Sequence, residues 1–359
     1  MFNSNLFAQK LAAVTPYAVD TGKYALRLDA NESCFSLSDE MLEGFGERLR
    51  SVDFNRYPDP SAADLCKTFA AYYGIDAQNV CAGNGSDEIL SLLMNAFADK
   101  GDAVLTFSPD FSMYAFYAAL AELRILSAPK TANLQVDFDA AAALLQKERV
   151  RLCVFSNPCN PTGRIERKSA IAALAARFPD TLFVVDEAYM DFAGDLRQSE
   201  SFIRDVTEYP NIIVLKTLSK AIGSAALRLG FVVADPAFCE KFRAVKSPYN
   251  VNSVSQVFGT MLLEKKSLLR ERTAYITRAT VLFRNALVDA GFVNIPEMYT
   301  NFVYFRTPLA QNLYEYFKQN GVLVRLFAAQ SALRITSGTV AQNETVISLL
   351  AKSGLSDKQ

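Results

Sequence analysis

The chain has 359 residues, half of them hydrophobic and 21% charged, with a formal net charge of −1. That length can bury one large core or two, and the even charge argues against a nucleic-acid or anionic-membrane binder. There is no histidine, which removes Ser-His-Asp triads, HExxH zinc sites and histidine general bases. Acid–base work near neutral pH then falls to lysine, tyrosine, a carboxylate or a cofactor.

The opening "MFNSNLFAQKLAAV" lacks the basic start and continuous apolar core of a signal peptide, and no apolar run is long enough to cross a bilayer. Six scattered cysteines, Cys34, Cys66, Cys81, Cys153, Cys159 and Cys239, contain no CxxC. They are expected to be reduced thiols in a cytoplasmic protein with neither a disulfide framework nor a metal site.

Along the chain, "VCAGNGSDEILSLLMNAF" (80–97) reads as strand, glycine turn and a helix beginning near Ser86. Gly83 and Gly85 permit an unusual turn, Ser86 is a suitable N-cap, and the amides beyond it form an anion cradle. Glu88 stands where the third glycine of a dinucleotide fingerprint belongs, and no Gly-Lys-Ser/Thr follows. Alone, this stretch fits a plain helix-capping turn equally well.

"AVLTF" (103–107), "LCVFS" (152–156), "LFVVD" (182–186) and "IIVLK" (212–216) are short and apolar on both faces, as buried parallel strands are. Helical patterns at 141–148 and 169–178 lie between them, which predicts an α/β fold with ligands beyond the carboxyl ends of the strands. Three of those ends carry notable residues. "SNPCNPTG" (156–163) fixes a rigid loop bearing Asn157 and Asn160; Asp186 closes an apolar strand, where a carboxylate implies a cationic partner that could be a structural arginine; "TLSK" sets Lys220 beside Thr217 and Ser219, with Arg228 following. Beyond residue 250 the pattern changes. One or two long helices (254–291) end at Gly291, and "NFVYFR" (301–306), an amphipathic 309–321, "VLVRLF" and "ALRIT" suggest a smaller α+β domain.

Pyridoxal 5′-phosphate explains the four segments together. It needs a reactive amine, an anion cradle for its phosphate, a carboxylate at its ring nitrogen and donors for its 3-oxygen. The ordered set GNGSDE (83–88), SPDFSMY (108–114), NPCNPTG (157–163), DEAY (186–189) and TLSKAIGSAALRLGF (217–231) resembles the fold-type I pyridoxal-phosphate aminotransferases. Within them the chain is most similar to the histidinol-phosphate aminotransferase group; LDANES (28–33), RYPDP (56–60) and LRIT (333–336) extend the likeness over nearly the whole chain.

The resemblance implies a mostly parallel sheet flanked by helices, with an N-terminal arm (1–30), a large cofactor domain (31–250) and a small domain (251–359). Lys220 would bond covalently to the cofactor, Asp186 would face its ring nitrogen, and Asn160 and Tyr189 its 3-oxygen. Gly85, Ser86, Asp87, Ser219 and Arg228 would surround the phosphate, and Tyr57 would reach the cofactor of a second subunit in a homodimer. Arg334 would take the substrate α-carboxylate, and Tyr17 and Asn31 would line the substrate pocket. Arg325 would receive a distal phosphate, although a solvated charge at a strand end explains it nearly as well. Phe111 stands where the family's ring-stacking tyrosine usually lies. The reaction implied is ping-pong transfer of an amino group between an amino donor and an oxo acid, with glutamate and 2-oxoglutarate as one pair. Decarboxylation of threonine phosphate and transamination of aromatic or other amino acids are the alternatives.

Overall fold

The computed structural model describes residues 6–14, 20–293 and 295–357. Its strands in chain order are β1 (Leu26–Arg27), β2 (Val80–Gly83), β3 (Ala103–Ser108), β4 (Arg124–Pro129), β5 (Val150–Ser156), β6 (Leu182–Asp186), β7 (Ile212–Thr217), β8 (Gly230–Val233), β9 (Phe302–Arg306), β10 (Val322–Leu323), β11 (Arg325–Phe327) and β12 (Ala332–Thr336).

Seven of these form one sheet in the order β2-β8-β7-β6-β5-β3-β4. The β3/β4, β3/β5, β5/β6 and β6/β7 pairs are parallel, and β8 runs antiparallel to both of its neighbours. β5, β6 and β7 are almost wholly buried, as expected where helices cover both faces of a parallel sheet. One face packs into a core containing Phe69, Phe155, Phe183 and Phe231, the other into a core containing Leu93, Tyr114, Val184 and Phe242. Since every parallel strand points the same way, the ends of β5, β6 and β7 bring Ser156, Asp186 and Thr217 to one edge.

A second, antiparallel sheet of order β11-β12-β9 packs on its own cluster, with Phe283, Leu313, Phe317 and Val346. β1 pairs with β10 in register Leu26↔Val322, and Leu28 enters this second cluster, so the chain just before residue 30 is tied to the C-terminal part. The helical stretch after residue 250 is two helices, Ser253–Glu264 and Lys266–Asp289, and Gly291 at φ 100° follows the second. The first contributes Phe258, Met261 and Leu262 to the core of the large sheet; the second contributes Phe283 and Leu287 to the C-terminal cluster. β4 was not anticipated from its sequence; it is an edge strand whose side chains are mostly exposed, so the apolar run that marks its neighbours is absent.

Candidate active site

A cavity of about 570 Å³ opens at the carboxyl edge of the large sheet and faces the C-terminal sheet. Asn31, Ser86, Asp87, Phe111, Asn160, Asp186, Tyr189, Ser219, Lys220, Arg228, Arg325 and Arg334 all line it. Tyr17 lies outside the described residues. Tyr57 is not among the lining residues; it is 79% exposed and stacks on Tyr249 with ring centroids 4.5 Å apart.

The first wall is the glycine turn after β2. The helix that follows runs Gly85–Ala96, with Asn84 rather than Ser86 at the N-cap. Gly85 at φ 81° starts the helix one residue earlier than expected, and Glu88 Oε2 accepts the Asn84 N–H at 2.6 Å in place of a capping hydroxyl. Ser86 therefore sits in the first turn, on the cavity. A side chain at Gly85 would meet Arg228 Nη2 at 2.8 Å, and one at Gly230 would lie 2.5 Å from the Gly85 carbonyl carbon. These glycines let the helix N-terminus, with its partial positive charge, approach the arginine. Arg228 is itself left-handed at φ 50° and pairs with Asp87 at 3.2 Å.

The second wall is the end of β7. Thr217 Oγ1 accepts the Ser219 N–H at 3.1 Å and donates to Ser219 Oγ at 3.0 Å, which shapes the "TLS" turn and presents Lys220. The Lys220 Nζ donates to the Ala30 carbonyl at 3.0 Å. Burial, reinforced by the like charge of Arg334, pulls the amine down to about 8. Lys216, four residues earlier, is neither surface charge nor a cavity residue. It is 2% exposed, donates to Asp191 Oδ2 at 2.8 Å and to the Glu187 carbonyl at 3.2 Å, and lies over the Tyr73 ring. The 186–192 loop is thus folded around its ammonium. Lys216→Met should cost about 3 kcal/mol in urea-denaturation stability, because it strands a buried carboxylate that Arg197 only partly compensates.

On the floor, Asp186 is buried and accepts from the Tyr114 hydroxyl at 2.9 Å and the Ala188 N–H at 3.1 Å. Both donors are neutral, so among the described residues no structural arginine pairs with this carboxylate; burial pushes the carboxyl up to about 6. Tyr114, one helical turn beyond Phe111, was missed in the sequence although it stands inside the quoted SPDFSMY segment. The Tyr189 hydroxyl accepts from Asn31 Nδ2 at 2.8 Å, and burial raises it to about 12, so it keeps its proton as a donor. Asn31, left-handed at φ 55° and buried, is in turn held by Thr336 and Asn301.

The roof is the three-stranded sheet. Arg334 Nη1 donates to Asn160 Oδ1 and Nη2 to the Asp29 carbonyl, each at 2.5 Å. Arg325 on β11 is directly opposite Arg334 on β12. Cross-strand partners project to the same face, so the cavity receives both guanidiniums, with Tyr314 nearby.

Residues 24–350 match the family model for aminotransferase class I and II. The chain is 36% identical over 348 residues, 96% of each chain, to a histidinol-phosphate aminotransferase from Clostridium novyi (strain NT). It is 34% identical over 347 residues, 96% of this chain and 97% of the relative, to one from Thermoanaerobacter sp. (strain X514). Among solved structures, the histidinol-phosphate aminotransferase from Sinorhizobium meliloti in complex with pyridoxal-5′-phosphate superposes with a TM-score of 0.87 at 22% identity, covering 97% of this chain and 98% of that one. An L-threonine-O-3-phosphate decarboxylase from Porphyromonas gingivalis shares the fold, with a TM-score of 0.76 at 24% identity over 91% and 99% of the two chains. With its family model matched across most of the sequence and relatives above 30% identity along nearly their whole length, the chain belongs to the class I and II aminotransferases and is a pyridoxal-phosphate-dependent enzyme.

Proposed function

We propose that the chain exchanges an amino group between glutamate and the ketone that corresponds to histidinol phosphate. The relatives' names suggest the substrate. The observation that carries it is the pair of arginines, Arg325 and Arg334, facing each other across β11 and β12 and lining one cavity. Glutamate brings two carboxylates to such a pair. Histidinol phosphate has no α-carboxylate, so its phosphate must find a guanidinium, a group that matches phosphate and carboxylate geometry alike.

Three observations support the cofactor's fit. Asp186 is a buried carboxylate whose donors among the described residues are neutral and whose pKa is raised, the state that a cationic ring nitrogen would relieve. The Gly85 turn has no side chain to keep Arg228 away, so the guanidinium lies directly against the helix start. The helix N-terminus at Ser86 and Asp87, together with Ser219 and Arg228, lines one end of the cavity and suits a phosphate there. When bound, pyridoxal phosphate supplies an aldehyde carbon for amine exchange and an electron-withdrawing ring.

In this reading Asp186 would hold the ring nitrogen, Phe111 would give the ring apolar contact, and Tyr189 and Asn160 would hold the 3-oxygen. Lys220 would hold the group through its Nζ and, once a donor amine has taken that place, its free amine would carry the proton removed from the substrate's Cα. Arg334 would orient that Cα by gripping the neighbouring anion, and Asn31 borders the pocket; the expected share of Tyr17 in it falls on a residue outside the described ones. The exposed Tyr57–Tyr249 pair suits a homodimer in which Tyr57 completes the partner's cradle. The same proposal includes a cytoplasmic setting and division into an arm (1–30), a large domain (31–250) and a small domain (251–359), with the Ser253–Glu264 helix packed on the large sheet.

The test is a half-reaction screen in which individual donors are mixed with loaded enzyme and the bleaching of the visible band is followed. Histidinol phosphate and glutamate should react, and indifference to histidinol phosphate would reject the substrate. Release of carbon dioxide from threonine phosphate with no oxo acid present would replace transamination by decarboxylation. Arg325→Met should raise the KM of histidinol phosphate about 10- to 100-fold, as loss of a charge-assisted contact does. Alanine, with one carboxylate, should suffer far less; equal losses would place Arg325 outside the distal site.

A further inference from the structure

Behind Asn160, away from the cavity, lies a second buried ion pair that the proposed chemistry leaves unused. Lys130 Nζ is 3.4 Å from Asp110 Oδ2, and their side chains are 1% and 2% exposed. Neither lines the cavity. The pair bridges the ends of three strands: Lys130 follows β4, Asp110 follows β3, and Asp110 accepts the hydroxyl of Ser156 at the end of β5.

A defined chain of hydrogen bonds runs forward from it. Ser156 Oγ accepts the Asn160 N–H at 2.9 Å, and Asn160 Oδ1 accepts Arg334 Nη1 at 2.5 Å. An ionised carboxylate is an acceptor only. While Asp110 is charged, the Ser156 proton must point at it, and the serine lone pairs are left for the Asn160 amide. A protonated Asp110 could donate instead, and the serine hydroxyl would be free to turn. Burial pushes the Asp110 carboxyl up, with Lys130 the chief opposing influence, so the cation is what keeps the relay pointing one way. Asp110 also accepts the Phe111 N–H at 2.8 Å, which ties the same carboxylate to the residue on the cavity's other flank.

We propose that Lys130 and Asp110 form a positioning pair that sets Asn160, and through it Arg334, for gripping the substrate's anionic group, without touching substrate or cofactor. The proposal rests on Arg334 being the substrate-anion site. It concerns anion affinity, so it separates from a general structural role: losing the pair loosens the grip on dicarboxylates while the cofactor stays in place.

The experiment uses the cofactor-loaded enzyme, with succinate as a non-reactive dicarboxylate in titration calorimetry, and the KM and kcat for glutamate. Lys130→Met should raise the succinate Kd and the glutamate KM about tenfold, the scale of one misplaced charge-assisted hydrogen bond, with kcat changed much less and the visible band retained. Asp110→Asn, which leaves no unpaired carboxylate, should act in the same direction and decides the matter if Lys130→Met does not fold. Arg334→Met serves as the reference. If it leaves succinate affinity unchanged, the anion-site reading fails and takes this proposal with it. If it weakens succinate while neither pair variant does, the positioning proposal alone is overturned. Loss of the cofactor band in parallel with succinate affinity in the folded pair variants would also overturn it, as a merely structural pair.

Discussion

Substituting alanine for Lys220 should abolish the visible band of the lysine-linked cofactor and lower turnover by at least about 10³-fold, the scale of losing a positioned proton carrier. The expectation comes from placement and from acidity. The amine projects from the end of β7 into the cavity, where among the described residues it donates to the Ala30 carbonyl, a partner it can leave without stranding a charge. With its pKa pulled to about 8, roughly a tenth of the amine is unprotonated at pH 7, against well under about a thousandth for an ordinary lysine. Lys216 cannot substitute, because its ammonium is held between Asp191 and the Glu187 carbonyl, outside the cavity. Borohydride reduction of the loaded parent protein followed by peptide mass mapping should find the cofactor on Lys220. A label on Lys216, or an unchanged band in Lys220→Ala, would defeat the assignment.

The two lysines also show how far the sequence could be read. Both follow the apolar run of β7, and local pattern cannot tell a buried structural ammonium from a reactive one. What separated them was Ser219 before Lys220 and Arg228 eight residues beyond, because that spacing matches a family motif. The sheet was legible where strands are buried on both faces, as in β5, β6 and β7, and illegible at β4, where exposure removes the apolar signal. The cavity-lining residues at strand ends could be found because parallel strands all end at one edge. Residues that act through other residues could not: Tyr114 reaches Asp186 across 72 positions and Lys130 reaches Asp110 from the next strand over, and neither separation leaves a local trace. Ser86 was misplaced as a cap because the left-handed freedom of Gly85 moves the helix start, and composition gives only the freedom, not its use.

Asp186→Asn should produce opposite effects on stability and activity. Burial raises this carboxyl from 3.8 to about 6 in the cofactor-free protein, so the folded state holds its proton more tightly than the unfolded one. Such a group favours folding fully below its unfolded pKa, and the advantage is lost as pH rises through 6. Above that, a charged Asp186 costs the cofactor-free fold up to about 3 kcal/mol relative to an ordinary carboxylate. Asparagine is neutral at every pH and can still accept from Tyr114, although its amide faces the Ala188 N–H less well, so part of the gain is forfeited. The cofactor-free variant should therefore melt higher than the parent at pH 8, and the difference should shrink towards zero as the pH falls to 4. Turnover should move the other way, by about 10²-fold or more, because an amide cannot keep a ring nitrogen protonated as a buried anion does. A variant that lost stability equally at pH 4 and pH 8 would show that Asp186 is held by packing and hydrogen bonds rather than by strain on its charge. A variant that kept parental turnover would show that the charge at the end of β6 is not directed at the chemistry.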